Sequence, residues 1–292
     1  MIALAPLLQL FFAERMVEQH RASPQTVAAY RDAFRLLVRF ASSRASKQPS
    51  KLALQDLDAA CIGDFLRHLE TDRRNGARTR NARLAAIHSF FRYVATREPA
   101  ALHLAQRVLA IPHKRFDRAL VTFLTPPEID ALLAAPDRDT WLGCRDHALL
   151  LVAIETGLRV SELTGLVRDD VHLGAGAHVR CCGKGRKERC TPLRSQSVAV
   201  LRAWLKRHDA PGSSPLFPSR RGTSLSRDAV ERLVAAHAAS AALSCASLRR
   251  TTVAPHVLRH TSAMQLLHAG VDRSVIALWL GHESVETTQM YL

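Results

Sequence analysis

The cysteines of this 292-residue sequence form no C-x-x-C pair and no regular framework, so a small disulfide scaffold is excluded. In a chain of this length they indicate reduced thiols, and we expect a cytoplasmic location. Cys181 and Cys182 lie near Cys190, but adjacent residues of a strand point to opposite faces, which disfavours a shared metal ion. We therefore expect no metal site.

The sequence also lacks a segment that would enter a membrane. Its longest uninterrupted apolar run, Ala148–Ile154, is far shorter than the ~20 residues that a membrane-spanning helix needs. The first residues, Met1–Pro6, contain no basic stretch, so they do not form a typical secretory signal. We expect no membrane partner.

Lysine is scarce among the cations, whereas arginine is abundant. Basic residues number 41 and acidic residues 26, for a formal charge of +15, and only 6 of the cations are lysines. Arginine binds phosphate with a flat, permanently charged fork, so this bias favours a polyanionic partner, although genomic base composition can also enrich arginine. Both parts of the chain are basic, with 17 cations and 9 anions up to Pro112 and 24 and 17 after it. This even division is expected if both parts contact the same polyanion.

The composition and the hydrophobic periodicity predict a mainly α fold with a small β-sheet. The hydrophobic fraction of 47% and the charged fraction of 23% are those of a globular protein. Apolar residues recur at spacings of three and four along most of the chain, which predicts helices. The region 178–193 alternates around a glycine-containing turn, which predicts a β-hairpin. We predict a helical domain over residues 1–110, an extended basic linker over 111–124 and a mixed α/β domain over 125–292.

The predicted helices have recognisable starts and stops. Ser23-Pro24 is a typical N-terminus, and further helices are predicted from about Asp58 and Arg78. Another runs over 145–166 and is broken at Gly157. The remaining predicted helices cover about 195–208, 226–242, 256–268, 272–280 and 284–292.

An arginine-rich stretch leads into the helix that starts near Arg78. The free N–H groups and the dipole of a helix N-terminus attract phosphate, so this stretch is a candidate phosphate-binding surface, and a solvated loop is the equal alternative. Its arginines, together with two cations of the linker, are our candidate DNA-binding residues. They are Arg73, Arg74, Arg78, Arg80, Arg83, Lys114 and Arg115.

Four separated motifs carry the candidate chemistry, and each alone has an ordinary structural explanation. Arg159 and Glu162 at i, i+3 fit a surface ion pair. Gly183-Lys184-Gly185 fits a plain turn, and the P-loop spacing is absent. His256 and Arg259 share a helix face and could cap a carboxylate. Tyr291, which follows Leu280-Gly281-His282, could be a half-buried aromatic. The motifs are Thr156–Leu163, Gly183–Arg189, Pro255–Thr261, and Leu280–Ser284 with Tyr291.

In combination these residues meet the requirements for opening a phosphodiester without a metal ion. Arg159 and Arg259 supply two guanidinium forks for the non-bridging oxygens, and Lys184 is a candidate proton donor to the leaving 5′-oxygen. His256 can act as a base or as a phosphate donor, and His282 can add another hydrogen bond. Tyr291 is the candidate nucleophile, which needs neighbouring cations because the free phenol has a pKa of about 10.

These motifs, in this order and spacing, resemble those of the tyrosine recombinase (phage integrase) family, and most closely its Xer-type and transposon integrases. The likeness covers nearly the whole chain, because residues 23–30 and 79–93 are similar to the helical, SAM-like core-binding domain of that family. The resemblance implies a helical core-binding domain and a mixed α/β catalytic domain that clamp duplex DNA like a C.

The resemblance also implies site-specific recombination, with strand exchange through a Holliday junction. Tyr291 would form a 3′-phosphotyrosine, Glu162 would support the Arg159 motif, and neither metal nor ATP would be required. The expected partners are double-stranded DNA and further copies of the chain, monomeric in solution and tetrameric on DNA. Accessory proteins and the target sequence are not indicated.

One departure from the family pattern lies at the end of the sequence. Family members usually continue after the tyrosine with a helix that docks into a neighbouring protomer, whereas only Leu292 follows Tyr291 here. Either the sequence is cut there or the protein lacks this tether. We expect the phosphate chemistry to survive, because every motif residue is present, and cooperative assembly to be affected.

Two other functions use the same features. A DNA-binding regulator with idle motifs predicts salt-sensitive binding without a covalent intermediate. A type IB topoisomerase-like enzyme predicts relaxation of supercoiled DNA of any sequence. The first is disfavoured because no motif residue is missing, and the second because the amino-terminal domain resembles site-specific DNA readers.

Overall fold

The structure is a computed structural model that describes residues 2–19, 21–116, 121–183 and 188–281. The chain divides into two compact units, Met1–Arg118 and Ala119–Leu292, and each has its own apolar core. In these described ranges, no helix combines the length and the apolar character needed to cross a membrane.

The first unit is helical throughout its described part. Two predicted helix N-termini are present: the Ser23 side chain accepts a hydrogen bond from the Thr26 amide (3.2 Å), and the Asp58 side chain accepts one from the Cys61 amide (2.7 Å). Helix α1 and the π-helical stretch that follows it were not predicted. The elements are α1 (Leu4–Leu10), the π-helical stretch (Phe11–Gln19), α2 (Pro24–Ala45), α3 (Ala59–Thr71), α4 (Ala77–Arg97) and α5 (Leu102–Leu109).

An aromatic cluster joins the π-helical stretch, α2 and α4 in the core of the first unit. The rings of Phe11, Phe34 and Phe90 are fully buried and meet edge to face, with centroids 5.3–6.1 Å apart. This is the favoured geometry for aromatic pairs, because the positive ring edge faces the negative ring face. The cluster therefore holds α4, which carries Arg78, Arg80 and Arg83, on a fixed base.

The second unit combines helices with a three-stranded antiparallel sheet in the order β1-β2-β3. The predicted hairpin is formed by β2 and β3, and β1 adds a short edge strand. The elements are α6 (Pro126–Ala134), α7 (Trp141–Thr156), α8 (Val160–Gly165), β1 (Val171–His172), β2 (His178–Cys182), β3 (Glu188–Pro192), α9 (Ser195–Arg207), α10 (Arg227–Ala241), α11 (Pro255–His268) and α12 (Arg273–Leu280). The helix predicted over 284–292 lies outside the described residues.

The longest apolar run of the sequence forms the central helix of the second unit. Every residue of Ala148–Ile154 is buried, as expected for a helix that other elements surround. Helix α7 packs against α9 and α11 and ends at Gly157, whose φ of +62° is the left-handed conformation that favours glycine. The predicted break at Gly157 is confirmed.

The inner face of the sheet continues this core. Val179 and Cys181 of β2 and Thr191 of β3 are buried, whereas Cys182 and Cys190 are exposed. The adjacent cysteines therefore point to opposite faces, as the sequence predicts, and burial raises the pKa of Cys181 to about 11. In the parts of the chain that the structure describes, no group of three or more His, Cys, Asp and Glu side chains could hold a metal ion.

A buried ionic network ties α7 to α10. Arg145 and Asp146 form an ion pair (2.6 Å), His237 contacts the other Asp146 oxygen (2.9 Å), and Arg145 also donates to the Pro218 carbonyl (2.8 Å). Asp146 exposes only 11% of its side chain. Removing it leaves a buried guanidinium without its counter-charge, which is the costly way to break such a network.

We expect Asp146→Ala to lower the free energy of unfolding by about 3 kcal/mol, measured by urea denaturation. Asp139→Ala is the matched control, because Asp139 is exposed and forms no side-chain hydrogen bond in the described part of the structure. Equal stability of the two variants would contradict the importance of this network.

Candidate active site

The first motif forms the junction between α7 and α8. Glycine is favoured at position 157 for two reasons. Its φ is positive, and an added Cβ would lie 2.5 Å from Cδ2 of Leu280. Glu162 caps α8 by accepting the Arg159 amide (2.7 Å), and it also accepts a hydrogen bond from Nη1 of Arg159 (3.1 Å). The i, i+3 contact expected from the sequence is therefore present. It is not a surface pair, because the Glu162 side chain is 4% exposed.

The two predicted catalytic arginines converge on the end of α12. Nη2 of Arg159 donates to the Gly281 carbonyl (3.0 Å), and Nη2 of Arg259 donates to the neighbouring Leu280 carbonyl (2.7 Å). Nη1 of Arg259 also donates to the Gly157 carbonyl (2.7 Å). The final carbonyls of a helix carry partial negative charge and attract cations. Guanidiniums from residues 100 positions apart thus bind consecutive carbonyls.

Arginine 159 keeps donors for a further ligand. A guanidinium has five N–H donors, and the described structure uses two of those of Arg159, one toward Glu162 and one toward Gly281. Its side chain is 35% exposed, so it is partly accessible from solvent. This arrangement can bind an oxyanion at the surface of the unit.

A third arginine, Arg189 of β3, completes the cluster and was not assigned by sequence. Its Nη1 and Nη2 donate to the two carboxylate oxygens of Glu162 (3.0 and 2.8 Å), and its Nε donates to the Trp279 carbonyl (3.1 Å). Burial alone would raise the pKa of Glu162, but the hydrogen bonds from Arg189 and the Arg159 amide, with the charges of both arginines, lower it. Glu162 is therefore a carboxylate at neutral pH.

The histidine motif lies on the first turns of α11. His256 is exposed, and its ring stands 5.8 Å from the ring of His260 one turn further on. Burial, and then the electrostatic effects of the neighbouring His256 and Arg259, lower the pKa of His260 to about 4. His260 is neutral at pH 7. His260 belongs to the motif seen in the sequence, but only the structure shows that it is partly buried and therefore neutral.

Three predicted catalytic residues, Lys184, His282 and Tyr291, lie outside the described residues. Cys182 ends β2 before Lys184, and Glu188 begins β3 after it. Gly281, the last described residue, precedes His282 directly. The roles of these three residues stay predictions.

The predicted DNA-binding residues divide into two groups within the first unit. Arg73, Arg74, Arg78 and Arg115 are exposed. Arg80 and Arg83 are partly buried, and Nη1 of Arg80 donates to the Pro112 carbonyl (2.9 Å). Nη2 of Arg83 lies 3.9 Å from Asp32, and Lys114 pairs with Glu70 (2.7 Å).

Segment 112–116 is bound to α4 by paired hydrogen bonds. The Asn81 side chain donates to the Lys114 carbonyl (2.7 Å) and accepts from the Lys114 amide (3.0 Å). The Arg78 guanidinium lies over the Phe116 ring, 5.9 Å from its centroid. The cavity between α4 and this segment has a volume of about 890 Å³ and is lined by Arg78, Lys114 and Arg115, among others. It is a concave, basic surface.

Comparison with known proteins finds a matching family model for each of the two parts of the chain. The family model "Phage integrase family" matches residues 122–292, and "Phage integrase, N-terminal SAM-like domain" matches residues 9–98. The putative integrase/recombinase y4rC of Sinorhizobium fredii is 57% identical over 290 residues, which cover 99% of this chain and 87% of that protein. The tyrosine recombinase XerC of Pelobacter propionicus is 36% identical over 98% of this chain and 91% of its own length.

Solved structures share the fold at low sequence identity. The Tn1549 transposon integrase in complex with transposon right end DNA has a TM-score of 0.74 at 15% identity, over 98% of this chain and 94% of that one. The XerH recombinase bound to difH substrate has a TM-score of 0.70 at 21% identity, over 93% and 77%. The chain belongs to the phage integrase family, as a tyrosine recombinase of the Xer and integrase type. The resemblance inferred from its motifs is confirmed.

Proposed function

We propose that this site-specific recombinase cuts and rejoins double-stranded DNA through a covalent 3′-phosphotyrosine at Tyr291. The observation that supports this most directly is the convergence of Arg159 and Arg259 on consecutive carbonyls, Leu280 and Gly281, immediately before His282. Two guanidiniums in this arrangement match the two non-bridging oxygens of one phosphate. The chemistry follows from that placement.

In the proposed reaction the Tyr291 oxygen attacks the scissile phosphorus as its hydroxyl proton passes to His256, and the bond to the 5′-oxygen breaks. Arg159 and Arg259 stabilise the charge that develops on the non-bridging oxygens, with a further hydrogen bond from His282. Lys184 donates the proton that the departing 5′-oxygen needs. The phosphotyrosine conserves the bond energy, so a DNA hydroxyl can reverse the step without metal or ATP.

Both units are proposed to contact the same duplex. The exposed arginines of the first unit and the basic cavity beside α4 provide charge for the phosphate backbone, which supplies most of the affinity of such interfaces. We propose the predicted organisation: a core-binding domain over residues 1–110, a linker over 111–124 and a catalytic domain over 125–292. We further propose that four copies on two DNA sites exchange strands through a Holliday junction. The proposed location of the protein is the cytoplasm.

The experiment that tests the proposal is covalent trapping. The protein is incubated with a pool of nicked duplexes whose central sequence is randomised, so that cleavage next to the nick releases a short strand and prevents resealing. We expect DNA that remains bound to protein after denaturation, and sequencing it identifies the target. Salt-sensitive binding without any trapped DNA would favour an idle DNA-binding protein. Relaxation of supercoiled DNA of any sequence would favour a topoisomerase.

Arg78 tests the DNA contact of the first unit. We expect Arg78→Ala to weaken binding to the trapped target and to random duplex by similar factors, because phosphate contacts carry no sequence information. The magnitude of the slope of log affinity against log salt concentration should decrease by about 1. The measurement is fluorescence anisotropy at several salt concentrations. Arg107→Ala is the charge-matched control, because Arg107 is exposed on α5 and forms no side-chain hydrogen bond or ion pair with the residues that the structure describes. A loss confined to the target duplex would contradict phosphate binding by Arg78.

A further inference from the structure

Arg189 is a charged residue on the buried face of a sheet. It lies directly opposite Cys181 in the β2–β3 pairing, on the same face as Val179 and Thr191, and its side chain is 13% exposed. A cation in such a place is stable only when it is paired and hydrogen-bonded. Three of its donors have partners in the described structure, two on Glu162 and one on Trp279.

The contacts of Arg189 determine which hydrogen bonds the Glu162 carboxylate forms with the Arg159 side chain. Arg189 binds both carboxylate oxygens of Glu162, whereas the Arg159 side chain makes one contact with that carboxylate. A bidentate pair is the preferred geometry between a guanidinium and a carboxylate. Because Arg189 occupies it, Arg159 does not, and the Arg159 guanidinium reaches the Gly281 carbonyl instead.

Arg189 also joins two elements that flank the predicted catalytic residues. Its position in β3 is five residues after Lys184, and its Nε holds the Trp279 carbonyl three residues before His282. The Arg189 side chain also lies close to the Gly281 backbone, since a Cβ added at Gly281 would lie 2.7 Å from Nη1 of Arg189. One side chain thus connects the hairpin strand, the Glu162 carboxylate and the end of α12.

We propose that Arg189 is a positioning residue that saturates Glu162 and so keeps the Arg159 guanidinium directed toward the scissile phosphate. This inference rests on the proposed function, because it concerns the same reaction. Without Arg189, the buried Glu162 carboxylate retains one cationic partner among the described residues, Arg159, and draws it into a bidentate pair. The donors of Arg159 then turn from the phosphate to the carboxylate.

The test compares Arg189→Met with Arg189→Lys and with Arg180→Met. Methionine fills a similar volume without charge, and lysine keeps the charge but not the fork. Arg180 lies on the neighbouring strand, on the exposed face, with a 53% exposed side chain, so it is the matched control. Each protein is mixed with the nicked duplex recovered from the randomised pool, and the rate of covalent adduct formation is measured at saturating protein. The dissociation constant and the melting temperature are measured separately.

We expect Arg189→Met to slow adduct formation by about tenfold to a hundredfold, as a displaced catalytic group does, while the dissociation constant stays close to that of the unsubstituted protein. Arg189→Lys should be slowed less, and Arg180→Met should react at the unsubstituted rate. An unsubstituted rate for Arg189→Met would overturn the proposal. So would a loss of DNA affinity that accounts for the whole defect.

A double variant separates positioning from general destabilisation. Glu162→Gln combined with Arg189→Met removes the carboxylate that would capture Arg159, so we expect it to react faster than Arg189→Met alone. A merely structural role for Arg189 predicts the reverse, because two buried contacts are lost instead of one, and a slower double variant would overturn the proposal. Failure of the unsubstituted protein to form any adduct is a different result, which refutes the proposed function itself.

Discussion

Replacing Tyr291 with phenylalanine is expected to abolish covalent adduct formation while DNA binding is kept. The substitution removes the oxygen atom that would attack the phosphorus. No other residue proposed for the site can form a phosphotyrosine. The measurement uses the trapped nicked duplex, with adducts separated on a denaturing gel and binding measured by anisotropy. We expect no adduct from Tyr291→Phe at any time point and an unchanged dissociation constant.

The sequence offers a matched control for this experiment. It contains three tyrosines, and Tyr30→Phe removes the same atom from a half-buried residue of α2 in the first unit. That variant should form adducts at the unsubstituted rate. Peptide mapping of the adduct should place the DNA on the peptide that contains Tyr291. Adducts from Tyr291→Phe at the normal level would assign the nucleophile to another residue and refute this part of the proposed function.

The second large effect is expected from Arg259→Lys. Lysine keeps the positive charge, but an ammonium cannot reproduce the fork with which Arg259 holds the Gly157 and Leu280 carbonyls, 2.7 Å each, beside the proposed phosphate site. Loss of one pre-organised donor to a developing oxyanion typically costs about 10²–10³-fold in rate. We expect a decrease of that size in adduct formation at saturating protein, with DNA affinity largely kept because the charge is unchanged.

Arg250→Lys is the control for Arg259→Lys. Arg250 lies just before α11 and is exposed, so the same chemical change there should leave the rate unchanged. Because Arg259 also links α11 to the end of α12, the melting temperature of both variants is compared with that of the unsubstituted protein. A rate for Arg259→Lys equal to that of the unsubstituted protein would show that the convergence of the two arginines does not serve catalysis.

Local sequence signals predicted much of the fold because they act within one element. Ser23 and Asp58 cap α2 and α3, Gly157 ends α7, and the alternation around residues 178–193 forms β2 and β3. Each of these depends on residues within a few positions of one another. Helix α1 and the π-helical stretch were missed, because they depend on packing as well: Leu4 and Leu7 are buried, and the Leu4 amide binds the Leu52 carbonyl (3.1 Å).

The candidate catalytic motifs were recognised from their order and spacing, but the residue that supports them, Arg189, was not. Arg189 is one of many arginines, and its partner Glu162 is 27 positions earlier in another element. The alternation of β3 does place Arg189 on the same face as the buried Thr191, and this is the one signal in the sequence that could have revealed a buried cation. The sequence likewise contained His260 without showing that burial keeps it neutral.

The sequence by itself determined the family of this protein, the helical character of its first hundred residues and the identity of the candidate catalytic residues. These follow from residue types at short, fixed spacings. Only the tertiary structure decided that Arg159 and Arg259 meet at the end of α12, and that the guanidinium of Arg189, rather than that of Arg159, forms the bidentate pair with Glu162. The reason is physical. Side-chain hydrogen bonds between distant segments exist only after α7, α11, α12 and the sheet have packed, so the sequence does not show which guanidinium pairs with a given carboxylate.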